Sequence, residues 1–365
     1  MVTKLTIPLT FEQADRDWLN AALDETHPGT RIASVTMSDK IGFKPTKRRL
    51  TICYEEAGNP SRLPGSMFLK GGFPGEGNHG SGLDFGMQLE VLTYLHAADR
   101  YGINTPRRYY TAFNEEAGEG ILLLEDLAQK NVRFLNAFTP MTLAEATAFI
   151  DAQAAFHARS WNSPDFAPRG IFGPGSPVAN IRKKLFAHYF DRLTIDSQFS
   201  AEHLKLPRGA ALPRELRDVD RLAKAMAALR ALTKLQPRCY IHGDEHLGNF
   251  YIEPDGTPGF IDYAGRPDAW NLGFTYFMLH AVDALDRRRW ERVLLTRYLD
   301  QLRRHGVAPP AFEDAWLVYR ATSIFLLCLW INNSPRWQPE AINTANCARA
   351  ALAVIDHDAF ALLGC

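Results

Sequence analysis

The sequence lacks net charge, cysteine motifs and other features that define several classes of protein. Its 365 residues contain 41 Lys and Arg against 41 Asp and Glu. It therefore has no basic excess of the kind that a dedicated nucleic-acid-binding protein or a polybasic membrane protein uses. The five cysteines are scattered without a C-x-x-C pair, which excludes a zinc ribbon, a redox motif and a disulfide framework. Thiols of this kind fit a reducing cytosol.

Long hydrophobic runs are also missing. The longest, residues 324–331, falls far short of the roughly 20 residues that a membrane helix needs. The first residues lack the apolar segment of a signal peptide. We therefore expect a cytoplasmic protein with no membrane and no nucleic-acid partner. The 46% hydrophobic content predicts a folded chain with a large core, and the length predicts two domains or lobes.

The first third of the chain is predicted to form a small lobe built on a mixed sheet. Residues 1–30 mix apolar and acidic positions and predict one or two short helices. Three strands, one helix and two further strands follow in the order 32–37, 49–54, 66–70, 85–95, 107–113 and 120–124. This lobe is expected to end near Leu127.

The remainder of the chain is predicted to be mainly helical. Helical patterns cover residues 143–161, 181–193, 214–235 and most of the chain from 269 to its end. A β-like patch interrupts them at 239–241, 249–252 and 259–261. We accordingly predict an α+β fold of two lobes, residues 1–127 and 128–365.

The most informative segment lies in that β-like patch, where residues 242–249 read HGDEHLGN. Asp262 follows thirteen positions after Asn249. Phosphoryl transfer needs a carboxylate that accepts a hydroxyl proton, oxygen ligands for Mg²⁺ and a cation on the nucleotide phosphates. Asp244 is the candidate catalytic base. Asn249 and Asp262 are the candidate Mg²⁺ ligands, because amide and carboxylate oxygens are hard ligands.

These residues resemble the aminoglycoside phosphotransferase and choline kinase branch of the protein kinase-like superfamily, and most closely its ecdysteroid kinase-like phosphotransferases. That branch carries H-G-D-x-H-x-x-N followed by an Asp in I-D-[FWY], which correspond here to residues 242–249 and 261–263. Further segments similar in order and spacing are 68–70, 89–94, 105–110, 122–127 and 156–161. The resemblance implies a two-lobe protein kinase-like fold that holds ATP and Mg²⁺ between its lobes.

The resemblance also assigns roles to residues outside the motif. Lys70 is expected to contact the α- and β-phosphates, with Glu90 on the following helix as its partner. Glu125 and Leu127 belong to the segment similar to the family's nucleotide hinge, and are taken as cofactor-binding residues. His242 is expected to support catalysis by bracing the loop through backbone hydrogen bonds.

Two positions depart from the family. The glycine-rich loop over the phosphates is reduced to residues 38–43, in which Gly42 is the single glycine and the cofactor-binding candidate. The family's loop-anchoring Asp, in D-[LV]-A-Y-F, aligns with Gly273. Either Asp268 substitutes for it or the loop is held in another way.

Several residues have a structural interpretation that competes with a functional one. His157, on an Ala-rich helix, is expected to be a core histidine. The cationic cluster of Lys40, Lys44, Lys47, Arg48 and Arg49 is interpreted as a solvated face rather than a set of phosphate contacts. Three tryptophans are expected either to line an acceptor pocket or to pack in the core, namely Trp270, Trp330 and Trp337.

We therefore predict an ATP- and Mg²⁺-dependent kinase that phosphorylates a hydroxyl of a small molecule. A neutral, partly apolar alcohol is the expected acceptor, because the charge balance offers no acidic excess for a polycation and residues 270–337 are rich in aromatic side chains. One alternative is a kinase-like protein that binds a ligand without transferring phosphate. Another is a metallohydrolase that uses His242, Asp244 and His246, although Gly243 disfavours the shared helix face on which two histidines converge. The sequence gives no oligomeric state.

Overall fold

The computed structural model describes residues 5–39, 41, 47–73, 83–185, 197–335 and 337–365. Within these ranges the chain has the predicted α+β fold, with a small sheet first and a large helical region after it. The strands are β1 Ile32–Met37, β2 Lys47–Tyr54, β3 Ser66–Gly71, β4 Arg108–Asn114, β5 Glu119–Glu125, β6 Arg133–Phe134, β7 Arg238–Ile241, β8 Phe250–Ile252, β9 Pro258–Phe260 and β10 Arg266–Ala269. The helices are α1 Arg16–Thr26, α2 Leu83–His96, α3 Ala98–Tyr101, α4 Leu143–Arg159, α5 Pro177–Leu185, α6 Ser197–His203, α7 Pro207–Ala210, α8 Val219–Thr233, α9 Trp270–Ala281, α10 Ala284–Arg304, α11 Phe312–Asn332, α12 Glu340–Asp356 and α13 Ala359–Leu362.

The first five strands form one sheet with the order β1-β2-β3-β5-β4. Every pairing within it is antiparallel over the described residues. The order of strands and helix along the chain is confirmed, but the expectation of a mixed sheet is wrong in this detail. Alternation of apolar and polar residues identifies a strand, whereas the connections between strands decide the direction of its neighbours.

The sheet is covered by helices on both faces, and the helix on one face brings Glu90 to Lys70. One face packs against α1 and the segment before it, with Phe11 and Leu19 in that core. The other face packs against α2. In the register of the sheet, Lys47 of β2 lies opposite Lys70 of β3, and α2 brings Glu90 to the same lysine.

The helical region is built around α11, whose residues are mostly buried. By length and composition alone, this helix is the one candidate membrane span among the described residues, and 67% of its apolar window lies inside the fold. It packs against α8, α9, α10 and α12. Its apolar composition is therefore accounted for by the core that it forms with neighbouring helices.

Two small sheets interrupt the helices where the sequence predicted β-like residues. β7 pairs with β10, and β6, β8 and β9 form a three-stranded sheet. The loop 242–249 joins β7 to β8, and Asp262 follows β9. Strands β6 and β10 were not predicted, because they have only two and four residues and no alternating pattern.

The predicted helix boundaries are displaced at two places. α5 begins at Pro177 rather than at residue 181, and the rest of that prediction, 186–193, lies outside the described residues. The helix predicted from 214 begins as α8 at Val219, because the side chain of Asp218 caps it by accepting hydrogen bonds from the Asp220 and Arg221 amides.

Candidate active site

The catalytic-loop candidate, residues 242–249, leaves β7 and closes on a 3₁₀ turn, Leu247–Asn249, directly before β8. The imidazole of His246 caps this turn, since Nδ1 accepts a hydrogen bond from the Gly248 amide at 3.0 Å. The Ile261 amide donates to the Asn249 carbonyl at 2.9 Å, which brings the residue after Ile261 to the loop. The β8–β9 hairpin thus places Asp262 beside the loop although thirteen positions separate it from Asn249.

His242 is fully buried and engages the backbone through both ring nitrogens. Nε2 lies 2.8 Å from the Ile261 carbonyl, and Nδ1 accepts a hydrogen bond from the Asp244 amide at 3.2 Å. The Nε2–H tautomer satisfies both contacts. Burial lowers the pKa of His242 to about 4, although the Asp244 carboxylate acts in the opposite direction. A neutral imidazole in this position fits the bracing role predicted from the sequence.

The carboxylate of Asp244 is held at both oxygens. Tyr276 donates its hydroxyl to Oδ1 at 2.9 Å, and the Asn249 amide donates to Oδ2 at 2.9 Å. His246 Nε2 lies 3.4 Å from the same Oδ2. Burial acts to raise the pKa of Asp244, but His246, His242 and the Tyr276 hydroxyl outweigh it, so the pKa lies well below its ordinary value. The carboxylate is therefore fixed in orientation and ionised at neutral pH.

A buried ion-pair network faces this carboxylate across the site. Lys70, only 7% exposed, pairs with Glu90 on α2 and with Asp262. Although burial acts to lower the pKa of Lys70, the charges of Asp262 and Glu90 hold it above its ordinary value. Lys47 Nζ lies 3.5 Å from the second oxygen of Asp262. Asp262 adopts a left-handed backbone conformation, with φ of 54°, which is uncommon outside glycine and is concentrated at functional sites.

Asn249 and Asp262 form a donor set that suits Mg²⁺. The amide nitrogen of Asn249 donates to the Asp244 carbonyl and to its carboxylate, both at 2.9 Å, so Oδ1 is the atom of this amide that can ligate a cation. Asp262 supplies carboxylate oxygens on the same cavity wall. Mg²⁺ is commonly bound by one or two protein oxygens together with phosphate and water, and these residues fit that pattern.

A hydrolytic metal centre on His242, Asp244 and His246 is contradicted by their contacts. Both nitrogens of His242 are engaged by backbone groups, and Nδ1 of His246 accepts from the Gly248 amide. In the part of the chain that the structure describes, no three His, Cys, Asp or Glu side chains come together as a metal site. The metallohydrolase interpretation is therefore wrong.

Two adjoining cavities meet at Asp244. The first, of about 320 Å³, is lined by the network just described, including Lys47, Lys70, Asn249 and Asp262. The second, of about 170 Å³, has a mainly apolar and aromatic lining that includes Leu272, Tyr276, Phe325, Leu329, Trp330 and Trp337. Asp244 and His246 line both cavities. The candidate base thus stands between a charged chamber and a largely apolar one.

The aromatic residues and His157 divide between core and site. Trp270 is fully buried and stacks on Tyr298, with 5.6 Å between ring centroids. Trp330 and Trp337 line the apolar cavity, and Trp337 also lines the charged one. His157 is a core histidine, as predicted. Its Nδ1 lies 2.7 Å from the Tyr298 hydroxyl, and burial lowers its pKa to about 3.

The cationic cluster is not a solvated face over its described residues. Lys47 lines the charged cavity, and Arg49 pairs with the buried Asp126 at 2.6 Å. Arg48 lies over the ring of Phe11, at 4.5 Å from the ring centroid. The prediction failed because a run of charges at a strand end has the same sequence pattern whether it faces water or a cavity. Lys40, Lys44 and Gly42 lie outside the described residues.

The hinge candidates occupy the end of β5. Glu125 accepts a hydrogen bond from the Arg107 amide at 3.2 Å and pairs with Lys130, while the Leu127 side chain is buried. Neither is among the described residues that line the two cavities. The structure therefore brings together Lys70, Glu90 and the 242–262 residues, but not these two.

Sequence reasoning missed Tyr276 and Glu245. Tyr276 lies on α9, whose residues are almost all apolar and buried, so no local pattern distinguishes it from the core. Glu245 is a variable position within the H-G-D-x-H pattern, and its partner amide, that of Gly243, is recognisable only in the folded loop. The Gly273 alignment was the one sequence signal that pointed to this region.

The kinase-like fold and this arrangement define the class of protein, and the comparisons identify the family. Residues 83–265, half of the chain, match the phosphotransferase enzyme family (APH), so the chain belongs to that family. The predicted aminoglycoside phosphotransferase and choline kinase branch is thereby confirmed. The finer assignment to ecdysteroid kinase-like enzymes stays a prediction. No curated protein matches the chain in sequence.

Several solved structures are similar to this chain at low sequence identity. The choline kinase from Cryptosporidium parvum Iowa II is 13% identical with a TM-score of 0.51, covering 96% of this chain and 95% of that one. Choline kinase LicA from Streptococcus pneumoniae is 14% identical, with a TM-score of 0.48 and coverage of 93% and 98%. Aminoglycoside phosphotransferase APH(3'')-Id from Streptomyces rimosus ATCC10970, solved with ADP and streptomycin, is 16% identical, with a TM-score of 0.43 and coverage of 79% and 91%. The likeness to the Cryptosporidium enzyme shows the kinase-like fold.

Proposed function

We propose that the protein is a cytoplasmic, ATP- and Mg²⁺-dependent kinase that transfers the γ-phosphate to a hydroxyl of a neutral, partly apolar small molecule. Residues 1–127 form its nucleotide-binding lobe, and residues 128–365 its catalytic and acceptor-binding lobe. The observation that carries the proposal is the position of Asp244, which lines both the charged and the apolar cavity. Family membership and the kinase-like fold support it.

The charged cavity suits the phosphates of a nucleotide. Lys70 and Lys47 supply two cations at its wall, and Glu90 holds the first of them in place. Asn249 and Asp262 are the proposed Mg²⁺ ligands, and the bound ion would neutralise charge on the phosphate oxygens during transfer. At about 320 Å³ the cavity falls at the lower end of the range for small-molecule sites.

The predicted hinge is at a suitable spacing from the phosphate lysine. Glu125 pairs with Met67 in the sheet, three residues before Lys70 on β3. At about 3.3 Å per residue this separates the two positions by roughly 10 Å along the strand. We propose that the backbone at Glu125 and Leu127 binds the nucleotide base while Lys70 binds the phosphates.

Asp244 has the properties that proton acceptance requires. Transfer forms a bond between the acceptor oxygen and the γ-phosphorus, breaks the bond from that phosphorus to the bridging oxygen of ADP, and moves the hydroxyl proton to Asp244. Tyr276 and Asn249 orient the carboxylate for this step, and its lowered pKa keeps it ionised. A weak base such as the Asp244 carboxylate is sufficient, because the hydroxyl proton leaves late in a loose transition state.

The apolar cavity indicates the class of acceptor. Apart from Asp244, its one acidic side chain among the described residues is Glu245, which is buried and bonded to the Gly243 amide. Buried Arg266 lines the same cavity and is ion-paired with Asp268. A polycation would therefore find no accessible carboxylate beyond the catalytic one. A neutral alcohol with an apolar body matches the aromatic lining better, and the cavity volume of about 170 Å³ favours a small one such as a short terpenoid.

Calorimetric titration of Mg²⁺–ATP tests the nucleotide site. Wild type should bind, and Asp262→Asn should bind at least tenfold more weakly, because the variant removes a ligand oxygen and its charge. Asp255→Asn is the matched control, since Asp255 lies in the exposed turn between β8 and β9 and should leave affinity unchanged. Unchanged affinity in Asp262→Asn, or absence of binding in wild type, would defeat the proposal.

The acceptor is tested by phosphate transfer to a panel of alcohols, with choline and an aminoglycoside in the same assay. Turnover of a short terpenoid alcohol is the expected result. Turnover of choline or of the aminoglycoside alone would refute the neutral acceptor while leaving the kinase activity in place. Nucleotide binding without transfer to any member of the panel would favour the non-catalytic alternative.

A further inference from the structure

Gly273 on α9 faces the catalytic-loop candidate. A Cβ atom at Gly273 would lie 2.9 Å from Oε1 of Glu245 and 3.3 Å from atoms of His157 and Ile241. Gly273 lies within the regular helix, where any residue adopts the backbone conformation. A side chain at this position would therefore crowd its neighbours, and the nearest atom is a carboxylate oxygen of Glu245.

That carboxylate belongs to the catalytic loop itself. Glu245 is 1% exposed, and its Oε1 accepts a hydrogen bond from the Gly243 amide at 3.0 Å. Gly243 has φ of 85°, so this peptide has a conformation that L side chains rarely adopt. Glu245 thus fixes the residue directly before Asp244.

The guanidinium of Arg266 binds the carbonyl of Gly243, whereas Glu245 binds its amide. Arg266 Nη1 donates to the Gly243 carbonyl at 3.3 Å and to the Ala264 carbonyl at 3.1 Å. Asp268, the substitute considered from the sequence, lies 3.2 Å from Arg266 and 2.9 Å from Arg182. Among these contacts Asp268 reaches the loop only through Arg266. The amide side of Gly243 is left to Glu245.

We propose that Glu245 is the positioning residue that anchors the catalytic loop, and that Gly273 provides the space for its carboxylate. The loop supplies its own anchor, and the helix supplies the matching space. This inference rests on the proposed kinase function for its effect on turnover. Glu245 acts through Gly243 on Asp244, and although it belongs to the lining of the apolar cavity its side chain is almost fully buried.

The expected consequence of losing the anchor is misplacement of Asp244. A reacting group displaced by about 1 Å costs on the order of 10²-fold in rate. The lysines Lys70 and Lys47 keep their own partners, Glu90 and Asp262. Turnover should therefore fall while nucleotide affinity stays the same.

A double-mutant cycle in the full-length chain tests this. The variants are Glu245→Ala, Gly273→Asp and the two combined, assayed by hydrogen exchange at the Gly243 amide and by Mg²⁺–ATP binding and hydrolysis. Glu291→Ala is the matched control, because Glu291 is also a buried glutamate but bonds to Arg287 and His357 away from the loop.

Glu245→Ala should speed exchange at Gly243 at least tenfold and reduce hydrolysis 10- to 100-fold, with KM for ATP within threefold of wild type. Gly273→Asp alone should also be impaired, because two carboxylates would share one space. The combination should restore both readouts to within about fivefold of wild type. Glu291→Ala should lower the melting temperature without changing exchange at Gly243 or KM.

Two results would overturn the inference: exchange and hydrolysis unchanged in Glu245→Ala, or a folded double variant that restores neither. Failure of the proposed function has a different signature. In that case wild type would neither bind nor hydrolyse Mg²⁺–ATP, whatever the exchange data show.

Discussion

Replacing Asp244 by Asn separates the chemistry of the site from its architecture. The two side chains have the same shape, and the contacts of Asp244 permit the exchange. The new amide can turn its oxygen to the Asn249 amide and its nitrogen to the Tyr276 hydroxyl, each of which lies 2.9 Å from Asp244 in the wild type. The Tyr276 hydroxyl then accepts where it had donated, so both neighbours keep a hydrogen bond to the side chain at position 244.

The cost of Asp244→Asn should therefore fall on proton transfer. General-base catalysis contributes about 10²- to 10⁴-fold, and we expect a loss of that size in the rate of phosphate transfer. Affinity for Mg²⁺–ATP should stay within threefold of wild type, because Lys70, Lys47 and Asp262 are unchanged.

The assay is single-turnover transfer of labelled γ-phosphate to the best alcohol of the panel, with nucleotide affinity measured by calorimetry on the same preparation. Asp255→Asn again provides the control for an Asp-to-Asn change at an exposed site. A transfer rate within tenfold of wild type would refute the reasoning, since a positioned base could not then be Asp244. A parallel loss of nucleotide affinity would refute the separation of the two roles.

Two further predictions concern the second lysine and the buried histidines. Lys47→Met should weaken Mg²⁺–ATP binding roughly fivefold, which is about 1 kcal/mol for a partly exposed cation. The control is Arg48→Met, which should not weaken binding because Arg48 faces Phe11. Equal effects of the two variants in calorimetry would show that Lys47 is not a phosphate contact. Burial lowers the pKa of His280 to about 3, far below about 6.5 in the unfolded chain, so its contribution favours folding above pH 6.5 and is lost as pH falls toward 3. The free energy of unfolding, measured with urea, should therefore fall by about 1 kcal/mol less in His280→Gln than in wild type when the pH is lowered from 7 to 5.5. An equal fall in both proteins would contradict the burial argument.

Elements with a strong local pattern were predictable from the sequence. β1 was predicted at its observed bounds from its β-forming residues after the Pro28-Gly29 turn, and α2 to within two residues from apolar residues at helical spacing. Strands β6 and β10 exist only through their partners and carry no such signal. The direction of the strands in the first sheet could not be predicted for the same reason, since pairing is decided by the connections between strands rather than by the residues of one strand.

The site residues also differ in whether the local sequence identifies them. The candidate residues of the 242–262 segment could be proposed because their spacing is compact, and Lys70 with Glu90 because the resemblance to the family assigned their roles. Tyr276 and Lys47 reach the site from distant elements whose local sequence resembles a core helix and a charged strand end. Glu245 could not be assigned from the sequence because its role depends on the space left by a glycine on another element.

The pairing of Lys70 and Lys47 with Asp262 has a consequence for how a nucleotide enters. Lys70 pairs with Glu90 and Asp262, and Lys47 with Asp262, so each lysine of the charged cavity already has a carboxylate partner. On the proposed function, a nucleotide is admitted by an exchange of partners, in which the lysines leave Asp262 for phosphate oxygens and Asp262 becomes free to ligate a cation. Binding of the nucleotide and of the cation is then thermodynamically coupled. Phosphate binding to the lysines releases Asp262 for the cation, and cation binding to Asp262 releases the lysines for the phosphates. Selectivity for the metal-bound nucleotide over either ion alone would follow from the charge balance of the cavity itself.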